Sequence, residues 1–139
     1  MVDHECVVAR EVAELEFDRF CEAMDLDVDA SRMDEDDRGG LEKLRAKFVR
    51  SIMRGILTLD EEGIPTVHLQ CPVGDVSKVM FPEPTGDTLL AMDKGKQNQN
   101  VGKMFSMMGA MTSNPPHVFA KMKKRDLDVC TAVTQLFLS

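Results

Sequence analysis

Between Gly55 and Thr85 the apolar rhythm of this chain changes, and that change constrains its fold more than any other feature. On either side, apolar residues recur every three or four positions, as on one face of a helix. Inside the segment they form short β-prone runs punctuated by Gly, Pro and Asp. Helices flanking a minor sheet follow from this switch and its reversal. The expectation is an α+β fold, mainly helical, with a small antiparallel hairpin or three-stranded sheet in the middle of the chain.

The first helix is expected from Val7 to Met24. Val8, Val12, Leu15, Phe20 and Met24 form its inner stripe, with Phe17 beside it, and Asp18, Arg19 and Glu22 face away. Four consecutive acids, Asp34 to Asp37, suit a helix start, where backbone N–H groups and the macrodipole favour negative charge. A second helix is expected over 40–54, with Leu41, Leu44, Phe48 and Ile52 on one face and Gly55 as its stop.

Ile56–Leu59 and Ile64–Leu69 flank Asp60-Glu61-Glu62-Gly63, which reads as a hairpin with an acidic turn. Pro65 has no N–H and belongs on an edge strand or at a strand's first residues. A tight turn at Val73-Gly74-Asp75 leads to a third strand, Val76–Phe81, ended by Pro82 and Pro84. Thr85 can cap a short helix through Leu89, Leu90 and Met92. A polar loop over 95–100 precedes a stripe of Val101, Phe105, Met108 and Met111, and Asn114-Pro115-Pro116 breaks the chain again. A short helix over 117–122 and a last one over 126–138 complete the pattern. Leu127, Cys130, Val133 or Thr134, and Phe137 face inward in the last helix, with Asp126 or Asp128 serving its N-terminus.

At 139 residues the chain has the length of a single domain and can bury roughly two thirds of its unfolded surface. It divides into an acidic helical portion, 1–55, and a hairpin plus helical portion, 56–139. Residues 1–62 carry 18 acids and 9 bases, whereas residues 63–139 carry 6 acids and 8 bases. An acidic first half repels phosphate, and with neither Trp nor Tyr the chain has only Phe to stack on bases, so no nucleic-acid partner is expected. The run Lys121-Met122-Lys123-Lys124-Arg125 reads as a solvated basic face. No stretch has the roughly 18 apolar residues of a membrane span, and with the polar opening Met1–Glu5 no signal peptide is expected. The four Cys lack close pairing and read as reduced thiols packed like small hydrophobes.

No sequence pattern makes a strong catalytic or metal site. Asp25, Asp27 and Asp29 imitate the start of a twelve-residue calcium loop, but Ala30 stands where Gly is needed and Asp36 where a bidentate Glu is needed. A solvated acidic connector is the default there. His68 and Cys71 could form a nucleophile pair, although His68 pointing to solvent from an edge strand is the simpler reading. No cofactor and no enzymatic activity are expected. With eleven Met and seven Phe, the segment Met104–Met111 either fills a core short of aromatics or offers an adaptable groove to a partner helix.

The order Thr66-Val67-His68-Leu69-Gln70-Cys71-Pro72, turn, Phe81-Pro82-Glu83-Pro84-Thr85, then Gly86-Asp87-Thr88-Leu89-Leu90 resembles the bacteriophage tail assembly chaperones. In that family a Leu-x-x-Pro strand pairs with a second strand ending in a Pro-Thr-like step that opens a helix. Met122, Arg125-Asp126-Leu127 and Phe137-Leu138 resemble the family's closing helix. The resemblance covers about half of the chain and leaves the acidic N-terminal helices outside it. It implies a non-enzymatic phage or prophage protein in the cytoplasm of the bacterial host. Such a protein binds the tape measure protein, keeps it soluble and helps recruit tail tube subunits. On this reading Met104, Phe105, Met108 and Met111 are the partner-binding candidates, with Leu127 and Phe137 next. The alternative is a small acidic adaptor or a minor tail structural protein, with a calcium-binding module third.

Overall fold

The computed structural model describes residues 7–26, 28, 31, 33–93 and 100–138. Helices α1 (Arg10–Ala23) and α2 (Glu35–Met53) come first, followed by strands β1 (Leu57–Leu59), β2 (Pro65–Val73) and β3 (Val76–Met80). Four more helices follow: α3 (Gly86–Asp93), α4 (Asn100–Thr112), α5 (His117–Lys121) and α6 (Lys124–Phe137). This is the expected α+β fold, mainly helical, with a three-stranded antiparallel sheet in the middle of the chain. Among the described residues no helix is long and apolar enough to cross a membrane.

The acidic run does what its chemistry dictates. Asp34 caps α2 by accepting the Asp37 N–H at 2.8 Å, and Glu35, Asp36 and Asp37 fill the first turn. Asp36 lies in the first turn of α2, and positions 27, 29, 30 and 32 of the calcium-loop motif lie outside the described residues. At the far end Gly55 takes a φ of 74°, the left-handed conformation that stops α2 and starts the chain toward β1.

The hairpin turn is closed by backbone bonds from Asp60 N–H to the Ile64 carbonyl and from Gly63 N–H to the Asp60 carbonyl, both at 3.1 Å, and by the Asp60 side chain. Asp60 Oδ1 accepts from the backbone N–H of Glu62 at 2.8 Å and of Ile64 at 2.9 Å. Gly63 then passes so close to α1 that a Cβ there would stand 2.7 Å from the Ala23 methyl. Arg19 locks this contact from the α1 side: its Nη1 donates to the Asp60 carbonyl at 2.8 Å, while Nε and Nη2 each reach the Glu16 carboxylate at 3.0 Å.

In the sheet, β2 is the centre and β1 and β3 are the edges. Pro65 sits at the first residue of the central strand, where its missing N–H costs least. Pro65, Val67 and Leu69 alternate inward along β2, joined by Leu57, Val79 and Phe81. The β2–β3 register slips between His68 and Val73. His68 therefore lies on the central strand and not on an edge, with its Nε2 2.9 Å from the Thr58 hydroxyl of β1.

The core corrects the expected face of α1. Its buried residues are Ala13, Phe17, Phe20, Cys21 and Met24, while Val12 is 51% and Leu15 67% exposed. Both sets satisfy the helical period, and the aromatic rings decide between them. Phe20 stacks on Phe48 of α2 at 4.8 Å and meets Phe137 of α6 edge-on at 5.3 Å, and Phe17 meets Phe48 edge-on at 5.3 Å. Arg45 of α2 adds a bond to Glu14 at 3.1 Å, with its guanidinium 5.5 Å from the Phe17 ring centre. Around this cluster α6 buries Val129, Cys130, Val133 and Leu136 against α2 and the sheet.

Candidate functional site

The partner-binding candidates do not form one surface. Met108 is fully buried and Met111 is 5% exposed, so both belong to the core and not to an open groove. Phe137 is likewise buried, against Phe20. Met104, Phe105 and Leu127 are half-buried and pack against the core. Of the two readings of the Met-rich segment, core filling is therefore the one realised at its centre. The cause is the close approach of α4 to the chain that follows it. A Cβ on Gly109 would stand 2.7 Å from the Asn114 carbonyl oxygen, and the Asn114 N–H closes back on the Gly109 carbonyl at 3.0 Å. Folding back this tightly encloses Met107, Met108 and Met111 together with Val118 and Phe119 of α5.

What α3 and α4 leave open is different. The α3 N-terminus is set by a reciprocal threonine pair: the Thr85 N–H donates to the Thr88 hydroxyl at 3.2 Å, and the two hydroxyls lie 3.3 Å apart. From that start α3 packs chiefly on α4. Leu89, at 45% exposure, and Leu90, at 61%, remain outside, as does Val101 of α4 at 64%. The signal available in the sequence was the adjacent Leu89-Leu90 pair on a short helix. Neighbouring residues point about 100° apart on a helix, so a single packing partner cannot cover both.

The candidate chemistry is sparse. His68 is engaged by Thr58, and no hydrogen bond joins it to Cys71. Among the described residues no group of three or more His, Cys, Asp or Glu could hold a metal ion. A shallow cavity of about 800 Å³ between α1 and the hairpin turn is lined by Glu16, Arg19, Leu59, Asp60, Glu61 and Glu62. The Arg19 guanidinium is committed there to Glu16, which raises its pKa further. Burial pushes the Cys21 thiol up to about 11, and burial raises Cys130 still more strongly. The Cys130 thiol lies 3.9 Å from the Met122 sulfur. Both are core thiols kept in the neutral form. Folded protein at pH 8 should carry about a hundredfold less Cys21 thiolate than an ordinary cysteine would. Alkylation followed by peptide mapping should find Cys21 unmodified until denaturant is added; rapid labelling of the native protein would contradict its burial. Because the folded pKa is raised, the neutral thiol's contribution to stability is intact below pH 9 and is lost as pH rises from 9 toward 11.

One buried side chain ties the last helix to the sheet. Asp126, in the first turn of α6, is fully buried. Its two oxygens accept the backbone N–H groups of Gln70 at 2.9 Å and Cys71 at 3.0 Å. These amides lie where the β2–β3 register slips, so the carboxylate replaces a strand partner. An acid at a helix start is legible in sequence, but its use as a strap across to the sheet is not. Compared with protein-family models, curated proteins and solved structures, the chain matches none of them, so its functional reading rests on its own residues.

Proposed function

We propose that this chain is a non-enzymatic phage tail assembly chaperone, acting in the cytoplasm of the bacterial host. It binds the tape measure protein, keeps that long helical client soluble and helps recruit tail tube subunits. The observation that carries the reading is the exposure of Leu89 and Leu90 on α3 and of Val101 on α4, two helices that pack on each other. Exposed apolar helix faces suit an amphipathic client helix. Met104 and Phe105, half-buried on the same pair, can supply adaptable edges to that contact. The surplus of acid in residues 1–62 keeps a complex soluble and favours a basic client surface.

Co-expression with a tape measure fragment tests this. A client that becomes soluble only with this chain, and co-purifies with it, is the expected result. Leu90→Asp combined with Val101→Asp should reduce co-purification at least about tenfold, as for central interface residues, with the thermal midpoint nearly unchanged. Undiminished co-purification would exclude this surface. A client that is soluble alone and ignores the chain would exclude the chaperone reading and leave the acidic adaptor.

A further inference from the structure

Lys47, Arg50 and Arg54 follow at spacings of three and four on α2 and so share one face of its last turns. With Arg125 of α6 they line a cavity of about 190 Å³, bordered also by Gln70 of β2. Four cations thus gather at one small cleft of a chain whose net charge is −7. The one carboxylate in the lining, Asp128, accepts a bond from Lys124 Nζ at 2.7 Å. Asp126 lies close by in sequence, but both of its oxygens are occupied by the Gln70 and Cys71 amides. Among the described residues no carboxylate lies within ion-pair distance of Lys47, Arg50 or Arg125.

Helix electrostatics explain only part of this cluster. Bases near the end of α2 complement its macrodipole, which accounts for Arg50 and Arg54. Arg125 has no such reason. It lies in the first turn of α6, preceded by Lys123 and Lys124, where the dipole disfavours positive charge, and no side chain caps that helix. Mutually repelling cations held around a concavity are compensated by an anion placed between them.

We propose that this cleft binds a single phosphate group, with Lys47, Arg50 and Arg125 as its cationic contacts. Guanidinium forks match the oxygens of a phosphate, and a lysine adds a point charge. A space of about 190 Å³ equals the liquid volume of roughly six waters, enough for one tetrahedral oxyanion and a short substituent. A polyanion would have to run out of the cleft over an acidic molecule, which its charge opposes. The ligand class is therefore inorganic phosphate or a small phosphate monoester. This inference is independent of the chaperone reading.

The test is thermal unfolding and calorimetric titration of the full chain with inorganic phosphate and with glycerol phosphate, against sodium chloride at equal ionic strength. Saturable one-to-one binding is expected, raising the midpoint by roughly 3–5 °C at ten times Kd. Equal shifts from both ligands place the phosphate group alone in the site, and a larger shift from glycerol phosphate points to a monoester. Arg50→Glu and Arg125→Glu should each abolish the shift, and Arg50→Gln should weaken binding about tenfold. Both arginines are exposed, so these variants should still fold. Lys78→Glu, on β3 and outside the cleft, makes the same charge change and should bind normally. A phosphate response no greater than that of chloride would overturn the proposal. So would an equal loss in Lys78→Glu, or binding confined to an acidic peptide or an oligonucleotide.

Discussion

Met108→Asp is expected to abolish the cooperative native state under conditions where Leu90→Asp leaves it intact. Met108 is on α4, one residue before Gly109, and is fully buried in the core. Losing its side chain from a packed core costs about 2–5 kcal/mol, and a carboxylate in its place brings an unpaired charge into the same apolar site. Together these reach the 5–15 kcal/mol, or roughly that range, by which a domain of this size is stable at all. Leu90 is 61% exposed, and an exposed substitution usually changes stability by no more than about 0.5 kcal/mol. Urea unfolding of both variants separates core from surface directly. A Met108→Asp variant with a native midpoint would mean that α4 does not pack as described. It would also restore the Met-rich segment as an open groove.

Asp126→Ala should cost roughly 2–4 kcal/mol, because two N–H groups of β2 lose a charged acceptor at once. The loss should be local before it is global. In hydrogen exchange, the Gln70 and Cys71 amides should lose protection in the variant while those of Val67 and His68, paired in the ladder, keep theirs. Asp126→Asn is expected to fall close to the alanine variant, since a carboxamide presents one acceptor oxygen and turns an NH₂ toward the second amide. If Asp126→Ala unfolded at the same urea concentration as the parent, the strap would contribute nothing. The slipped register of β2 would then stand on the strand contacts alone.

Much of the architecture was legible in local chemistry. Asp34 to Asp37 signalled a helix start, although the helix itself was expected only from Gly40 and α2 begins at Glu35. Gly55 marked its stop and Asp60 with Gly63 the hairpin turn, because each acts on backbone groups only a few residues away. The stripe Leu41, Leu44, Phe48 and Ile52 was legible for the same reason, as its spacing admits one helical face. The face of α1 was not. Val12 and Leu15 fit the period as well as Ala13, Phe17 and Cys21 do, and only the rings of Phe48 and Phe137 select the second set. Likewise the composition left Met108 and Met111 open between core and groove. The close packing of Gly109 on the Asn114 carbonyl placed them inside.

By itself, then, the sequence determined the helix and strand order, the Asp34 cap of α2, the hairpin turn and an α+β fold, all products of interactions within a few residues of the chain. The acid expected to serve the start of α6 binds the sheet instead. Tertiary structure decided what faces what. Gln70 and Asp126 are 56 residues apart, and α2 and α6 bring Arg50 and Arg125 to one cleft across a longer separation still. Local propensity carries no information about such pairs. They form only when burial of the aromatic and methionine core fixes the relative positions of helices and sheet, and it is there that this chain's strap, its open apolar surface and its basic cleft arise.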